Sequence, residues 1–167
     1  MDELQLFRDR FAISDLLSRY TLTIDNCDAR GWASLFTLDG HFQHGSRVIR
    51  GREKLERYAL IHNKLRCRHI TSSPLHHLSE DGQSASGKAT TVEINATRSG
   101  YRIAVIAEYR DELVKVDGNW LIRCRRGEEV KLVDDPDFPI LFADPNTRDQ
   151  VKLLMDAWDE LGETVSD

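Results

Sequence analysis

The sequence predicts an α+β fold: a strongly bent antiparallel sheet wrapped around N-terminal helices to make a cone-shaped barrel. Three observations predict it. Apolar residues recur at helical spacing through the first part of the chain and again over residues 51–65. After them, long segments read as strands separated by Asp81-Gly82, Ser99-Gly100 and Asp117-Gly118, all hairpin punctuation. Helices first and a strand meander afterwards is the α+β order.

Taken in order, residues 3–26 read as one helix, because Ile13, Leu17, Tyr20 and Ile24 fall on a single stripe. Asp28 can cap a second, short helix that carries Trp32, Leu35 and Phe36. Asp39-Gly40 reads as a turn into a short strand near His41 to His44. Gly45-Ser46 reads as another turn, leading to Val48-Ile49. The third helix, over 51–65, turns Leu55, Tyr58, Ala59 and Ile61/His62 inward. Four strands follow: Arg66 to Leu78, Ser84 to Thr97, Tyr101 to Val116 and Asn119 to Leu132. In the third, Ile103, Val105, Ala107 and Tyr109 alternate with Arg102, Ala104, Ile106 and Glu108. A sheet with one face better buried has that pattern. The expected organisation is a cone domain over 1–132 and a C-terminal extension over 133–167. In the extension, Asp134 to Pro145 reads as extended and Thr147 to Leu161 as a last helix. That helix packs on the same domain or on a neighbouring subunit.

Composition narrows the function. A chain of 167 residues is one domain's worth, and 40% hydrophobic with 31% charged residues is ordinary for a globular protein. A net charge of −5 with dispersed basic residues offers no footprint for nucleic acid. No stretch approaches the ~20 apolar residues of a membrane span, and MDELQLFRDR lacks the apolar core of a signal peptide. Three isolated cysteines, Cys27, Cys67 and Cys124, suit a reducing compartment, so the expected location is cytoplasmic. No H-x-H, H-E-x-x-H or clustered cysteine set is present, so the expectation is no metal site. Glycine-rich nucleotide loops are absent too, and no cofactor is expected.

The order and spacing of several short motifs resemble a known family. They are Y-x-x-x-x-D at Tyr20 and Asp25, L-F-x-x-D-G at Leu35 to Gly40, and Gly51 opening the third helix. R-H-I-T-S-S-P around His69 and D-G-N-W-L-I-R at Asp117 to Arg123 complete the series. Over residues 5–132 the chain resembles the polyketide-cyclase-like (SnoaL-like) branch of the nuclear-transport-factor-2-like superfamily. The resemblance implies a cone with a deep pocket and acid–base chemistry without metal or organic cofactor. Scytalone dehydratase, bile-acid 7α-dehydratase and hexachlorocyclohexane dehydrochlorinase are of this kind. Tyr20 and Asp25 match the tyrosine and aspartate of the bile-acid dehydratase pattern. Asp25 and His69 match the aspartate–histidine dyad of the dehydrochlorinase. Glu93 falls where the bile-acid enzyme has a second acidic residue.

The residues themselves support the same set. An aspartate at the end of a helix opposes the macrodipole, so Asp25 needs a reason to be there. An imidazole at His69 suits a general base at neutral pH, and a carboxylate on one ring nitrogen would fix its tautomer. Tyr20 lies on the apolar stripe, where its hydroxyl can serve a substrate oxygen or simply be buried. Strand alternation puts Thr91, Glu93 and Asn95 on one face. If that face is the inner one, Glu93 would have a raised pKa and act as an acid. If it is the outer one, Val92 and Ile94 point to the core. His44, Arg125, Asn95 and Trp32 are candidate substrate-binding residues.

The expected function is a lyase or isomerase, dehydratase-like, acting on a hydrophobic ring-bearing small molecule. The alternative is a non-catalytic binding or assembly module, as in the small subunits of ring-hydroxylating dioxygenases. An apolar outer sheet face, Ile103 and Val105 or Ile106, would be covered by a second copy of the chain, giving a homodimer or homotrimer.

Overall fold

The computed structural model describes residues 2–97, 100–129 and 145–165. Helix α1 (Glu3–Asp25) opens on Asp2, whose carboxylate accepts from the Gln5 backbone N–H at 2.7 Å, relieving an orphan donor of the first turn. Its buried stripe runs through Ile13, Leu16, Leu17, Tyr20 and Ile24. Helix α2 (Ala29–Ser34) is capped the same way by Asp28 on Gly31 N–H, at 2.8 Å. Strands β1 (Phe36–His44) and β2 (Arg47–Arg50) form a hairpin. Helix α3 (Arg52–His62) starts at Gly51, whose φ of +88° suits glycine, and tightens into a 3₁₀ turn over Asn63–Leu65. Strands β3 (Cys67–Thr71), β4 (Leu75–Leu78), β5 (Ser84–Thr97), β6 (Gly100–Val116) and β7 (Asn119–Glu129) follow. Helix α4 (Pro145–Leu161) and a short β8 (Glu163–Thr164) end the described chain.

The fold is α+β, as expected. One sheet runs β3-β5-β6-β7-β1-β2-β8, with β4 on β5 beside β3. Every pairing is antiparallel except β1 with β7. The sheet is strongly bent and does not close; α1 to α3 fill its concave side. Their buried residues join Phe36, Ile122, Leu113 and Trp120 of the strands in a single core. Helix α4 packs on this chain: Ala157, Trp158 and Leu161 enter that core. Among the described residues no helix is long and apolar enough to cross a membrane.

Five sequence expectations change. Leu35 and Phe36, expected on the second helix, lie beyond it: Leu35 is its C-cap and Phe36 opens β1. Asp39-Gly40 is not a turn but the middle of β1, where the β1–β7 register shifts. A Cβ on Gly40 would lie 2.9 Å from the Ile122 carbonyl oxygen, so glycine is there to let two backbones meet. The single strand expected from Arg66 to Leu78 is two, broken at Ser72 to Pro74, since proline has no N–H to give the ladder. The alternation read in β6 slips at Ala104, because Glu93 pairs with Val105 while Ile94 pairs with Ile103. That bulge puts Val105 on the cavity side and leaves Ile103 on the outer face with Ile106. The expected pairing of Ile103 with Val105 on one face is therefore wrong. The last helix begins at Pro145, two residues early. The extended stretch expected over Asp134 to Pro145, save Pro145 itself, and the Ser99 half of one hairpin lie outside the described residues.

Candidate active site

A cavity of about 150 Å³ lies between the helices and the concave face of the sheet. Its walls are aromatic: Tyr20, Trp32, Phe42, Tyr58, Tyr109 and Trp158 all line it. One side is polar, and there His62, His69 and Glu93 come together.

Asp25 is the last residue of α1, and the structure supplies the reason for a carboxylate at that end. Its Oδ1 lies 2.6 Å from His69 Nδ1, and its Oδ2 accepts from the His69 backbone N–H at 2.9 Å. Two donors from β3 outweigh the unfavourable helix end. The guanidinium of Arg68 in turn donates to the Asp25 carbonyl oxygen at 2.6 Å, satisfying a terminal helix carbonyl. A carboxylate accepts only, so Nδ1 of His69 carries a proton, and Nε2 is the nitrogen left to face the cavity. Nε2 lies 3.6 Å from Glu93 Oε2.

Glu93 is on the inner face with Thr91 and Asn95, all buried, whereas Val92 and Ile94 are only half-buried. Its charge state differs from the expectation for an inner-facing carboxyl. Burial by itself raises its pKa, but the hydrogen bond and charge of His62, then the charge of His69, outweigh that and hold it below its usual value. Glu93 is a carboxylate at neutral pH and an acceptor, not the acid expected on that face.

Tyr20 lines the cavity. Burial raises its phenol, only partly opposed by the nearby Arg125 charge, so it is an O–H donor at neutral pH. Trp32 also lines the cavity, and its indole N–H is buried with no hydrogen-bond partner among the described residues. His44 borders the cavity near Trp158, with ring centroids 6.1 Å apart.

Two candidates lie elsewhere. Arg125, 1% exposed, is behind the cavity wall: its guanidinium grips Asp111 through two 2.7 Å bonds and sits 4.1 Å from the ring of Tyr20. Asn95 is buried on the Glu93 face but is not among the lining residues. The structure thus brings Tyr20, Asp25, His69, Glu93, Trp32 and His44 to one region and leaves Arg125 and Asn95 outside the wall.

Sequence reasoning passed over His62, Tyr58, Tyr109 and Cys67 as site residues. Tyr58 and His62 were visible as an i, i+4 pair on the inward stripe of α3. Cys67 carried no signal, because it approaches His62 only through the turn that joins α3 to β3. There Arg66 adopts φ +54° and reverses the chain, leaving Cys67 Sγ 3.8 Å from His62 Nε2.

The fold and the cavity define a class: an α+β cone of the nuclear-transport-factor-2-like type, with an Asp–His pair at the polar side of an aromatic pocket. The SnoaL-like domain profile matches residues 5–126, and the chain belongs to that family. The whole chain aligns with Rv3472, a protein of unknown function from Mycobacterium tuberculosis, at 38% identity over 99% of that protein, with a TM-score of 0.91. Two proteins of Novosphingobium aromaticivorans share the fold. One is described as NTF2-like with a cystatin-like fold: 20% identity, TM-score 0.71, covering 83% of this chain and 91% of the other. The other is provisionally assigned as a scytalone dehydratase: 18% identity, TM-score 0.68, covering 76% and 87%. No functionally curated protein matches the chain at a comparable level.

Proposed function

We propose that the protein is a lyase or isomerase that moves a proton on a hydrophobic, ring-bearing small molecule. The observation that carries this reading is the 2.6 Å contact of Asp25 with His69 Nδ1 at the cavity. It commits Nε2 to the role of base and stabilises the imidazolium that forms when Nε2 takes an activated proton. Tyr20 donates a hydrogen bond to the substrate oxygen on which charge develops or which departs. Glu93, as a carboxylate, steadies the positive charge that arises on His69. Proton transfer of this kind asks for no organic cofactor. Aromatic walls around about 150 Å³ suit a ring roughly the size of benzene. The provisional scytalone dehydratase among the structural relatives makes dehydration the form to assay first.

The test is turnover of hydroxylated ring ketones, read as loss of water by absorbance and as deuterium uptake from heavy water. His69→Ala should lose at least ~100-fold in rate while its unfolding transition stays in place. Near-normal turnover by that variant would sink the assignment.

A binding or assembly module remains the second reading, and a feature of the outer face speaks for assembly. Ile70 pairs with Val92 and Val92 with Ile106, while Ile94 pairs with Ile103. Ile70 and Ile103 are largely exposed, so the rows form an apolar strip on the sheet. We propose that a second or third copy of the chain covers it. Light scattering of wild type and Ile103→Lys should show a dimer or trimer that the substitution splits; a wild-type monomer would remove the idea.

A further inference from the structure

At the polar side of the cavity, four side chains that can ligate a metal ion converge. Asp25 holds the Nδ1 edge of the His69 ring, so Nε2 is the nitrogen turned to the group. Glu93 Oε2 lies 3.6 Å from it. His62 Nε2 lies 3.8 Å from the same Glu93 oxygen, and Cys67 Sγ lies 3.8 Å from His62 Nε2. The donor atoms of His62, Cys67, His69 and Glu93 all fall within 4.8 Å of one another.

We propose that these four residues form a binding site for a divalent transition ion of the zinc class. Bonds of about 2.0–2.3 Å in a tetrahedron set donor–donor separations of roughly 3.3–3.8 Å. Two of the nitrogen–oxygen edges already have nearly that length, and small side-chain rotations close the rest. The donor set is right for the ion: two imidazoles, one thiolate and one carboxylate are the mixed nitrogen, sulfur and oxygen ligands zinc accepts. The charge also closes. Glu93 and the Cys67 thiolate carry two negative charges in a buried place, and a dication cancels them.

The surroundings are those of a metal site. Asp25 on Nδ1 of His69 is the carboxylate–histidine support that orients metal-bound imidazoles. The His62 and His69 rings stack at 5.6 Å and 24°, and each has its Nε2 within 3.8 Å of Glu93 Oε2. Without a cation, burial raises the Cys67 thiol and the Glu93 and Asp25 carboxylates raise it further. Binding the ion therefore displaces a proton to bulk water, Cys–SH giving the metal-bound thiolate. The ion takes the lone pair that the proposed acid–base reaction needs on His69. The metal-loaded and proton-transferring forms are mutually exclusive, and zinc acts as an inhibitor of that reaction.

The test uses the full chain, stripped with a chelator and titrated with Zn²⁺ by calorimetry and with Co²⁺ by absorbance, so it needs no substrate. The expected result is one ion per chain, with a thiolate-to-cobalt charge-transfer band. Cys67→Ser should remove the band, and Asp25→Asn should weaken Zn²⁺ binding by ~10–100-fold. The wild-type cobalt spectrum stands even if a variant fails to fold. No stoichiometric uptake, cobalt binding without the thiolate band, or unchanged Zn²⁺ affinity in a folded Cys67→Ser protein would each overturn the site.

Discussion

Two groups of buried charge share the concave side of this sheet, and they are built on opposite principles. Asp111 and Arg125 are cross-strand partners on β6 and β7, and each is almost wholly buried. Their two 2.7 Å bonds are the fork-to-fork geometry of a saturated pair. The rings of Tyr20 and Tyr109, at 4.1 and 4.4 Å, cover the guanidinium and keep ligands from it. The second group, Asp25, His69, Glu93 and His62, has two bonds from His69 to Asp25, at 2.6 and 2.9 Å, and two looser contacts of 3.6 and 3.8 Å to Glu93. It faces the cavity. Closed and satisfied charge holds the wall in place, while the second group keeps bonding capacity beside empty space, which is what the proposed reaction draws on.

The largest effect that would sharpen this contrast is on stability. Arg125→Met leaves the Asp111 carboxylate buried with only His76, 3.8 Å away, beside it, and should cost about 3–5 kcal/mol in urea unfolding. Replacing both, Arg125→Met with Asp111→Leu, should recover most of it, because the pair is removed with its desolvation. Recovery of nothing would mean that the pair is more than a sealed wall. The His69→Ala protein should do the reverse, losing rate as described above with little change in unfolding midpoint.

Acid gives a smaller, graded test. Burial would raise the Asp111 carboxyl, but the charge and hydrogen bonds of Arg125, with help from His76, hold it below the usual carboxylate range in the folded state. A carboxyl with a depressed folded pKa contributes stability that is fully present above its unfolded pKa, about 3.9. That stability is lost as pH falls from there through the folded value. Urea titrations between pH 7 and pH 3 should show the loss, and the double variant should show a shallower one. The smallest effect is at the boundary of the two groups. Tyr20→Phe keeps the ring on Arg125 and removes the hydroxyl from the cavity. Its stability should change by less than about 1.5 kcal/mol, with a rate loss of roughly 10-fold or more if the O–H serves the substrate. A large stability loss with no rate change would place Tyr20 with the wall instead.

Local rules carried most of the architecture. The stripe Ile13, Leu17, Tyr20, Ile24 identified α1, Asp28 marked the start of α2, and Asp81-Gly82 and Asp117-Gly118 marked real hairpins. These signals lie within a few residues of one another, so a linear reading can see them. Tyr20, Asp25 and His69 were also legible as candidates, because their residue types and order matched a family pattern. The face of Glu93 was not. Period-2 alternation says which residues share a face but not which face is inside, and the bulge at Ala104 reverses the sense of alternation in the neighbouring strand. The short-range reading of Arg125 as a ligand for substrate failed because its partner, Asp111, is fourteen residues away across a hairpin.

From its sequence alone this chain is a helix-then-sheet domain with an amphipathic first helix, a second helix capped by Asp28, a strand meander and an aspartate waiting for a partner. Propensity, capping and periodicity act over one or two turns and are written in neighbouring residues. The meeting of His62, Cys67, His69 and Glu93 is of another kind. It depends on the reversal at Arg66, on the β3–β5 register that sets His69 opposite Glu93, and on the bend of the whole sheet. Those are long-range packing outcomes, in which many weak contacts decide together where a few strong ones fall.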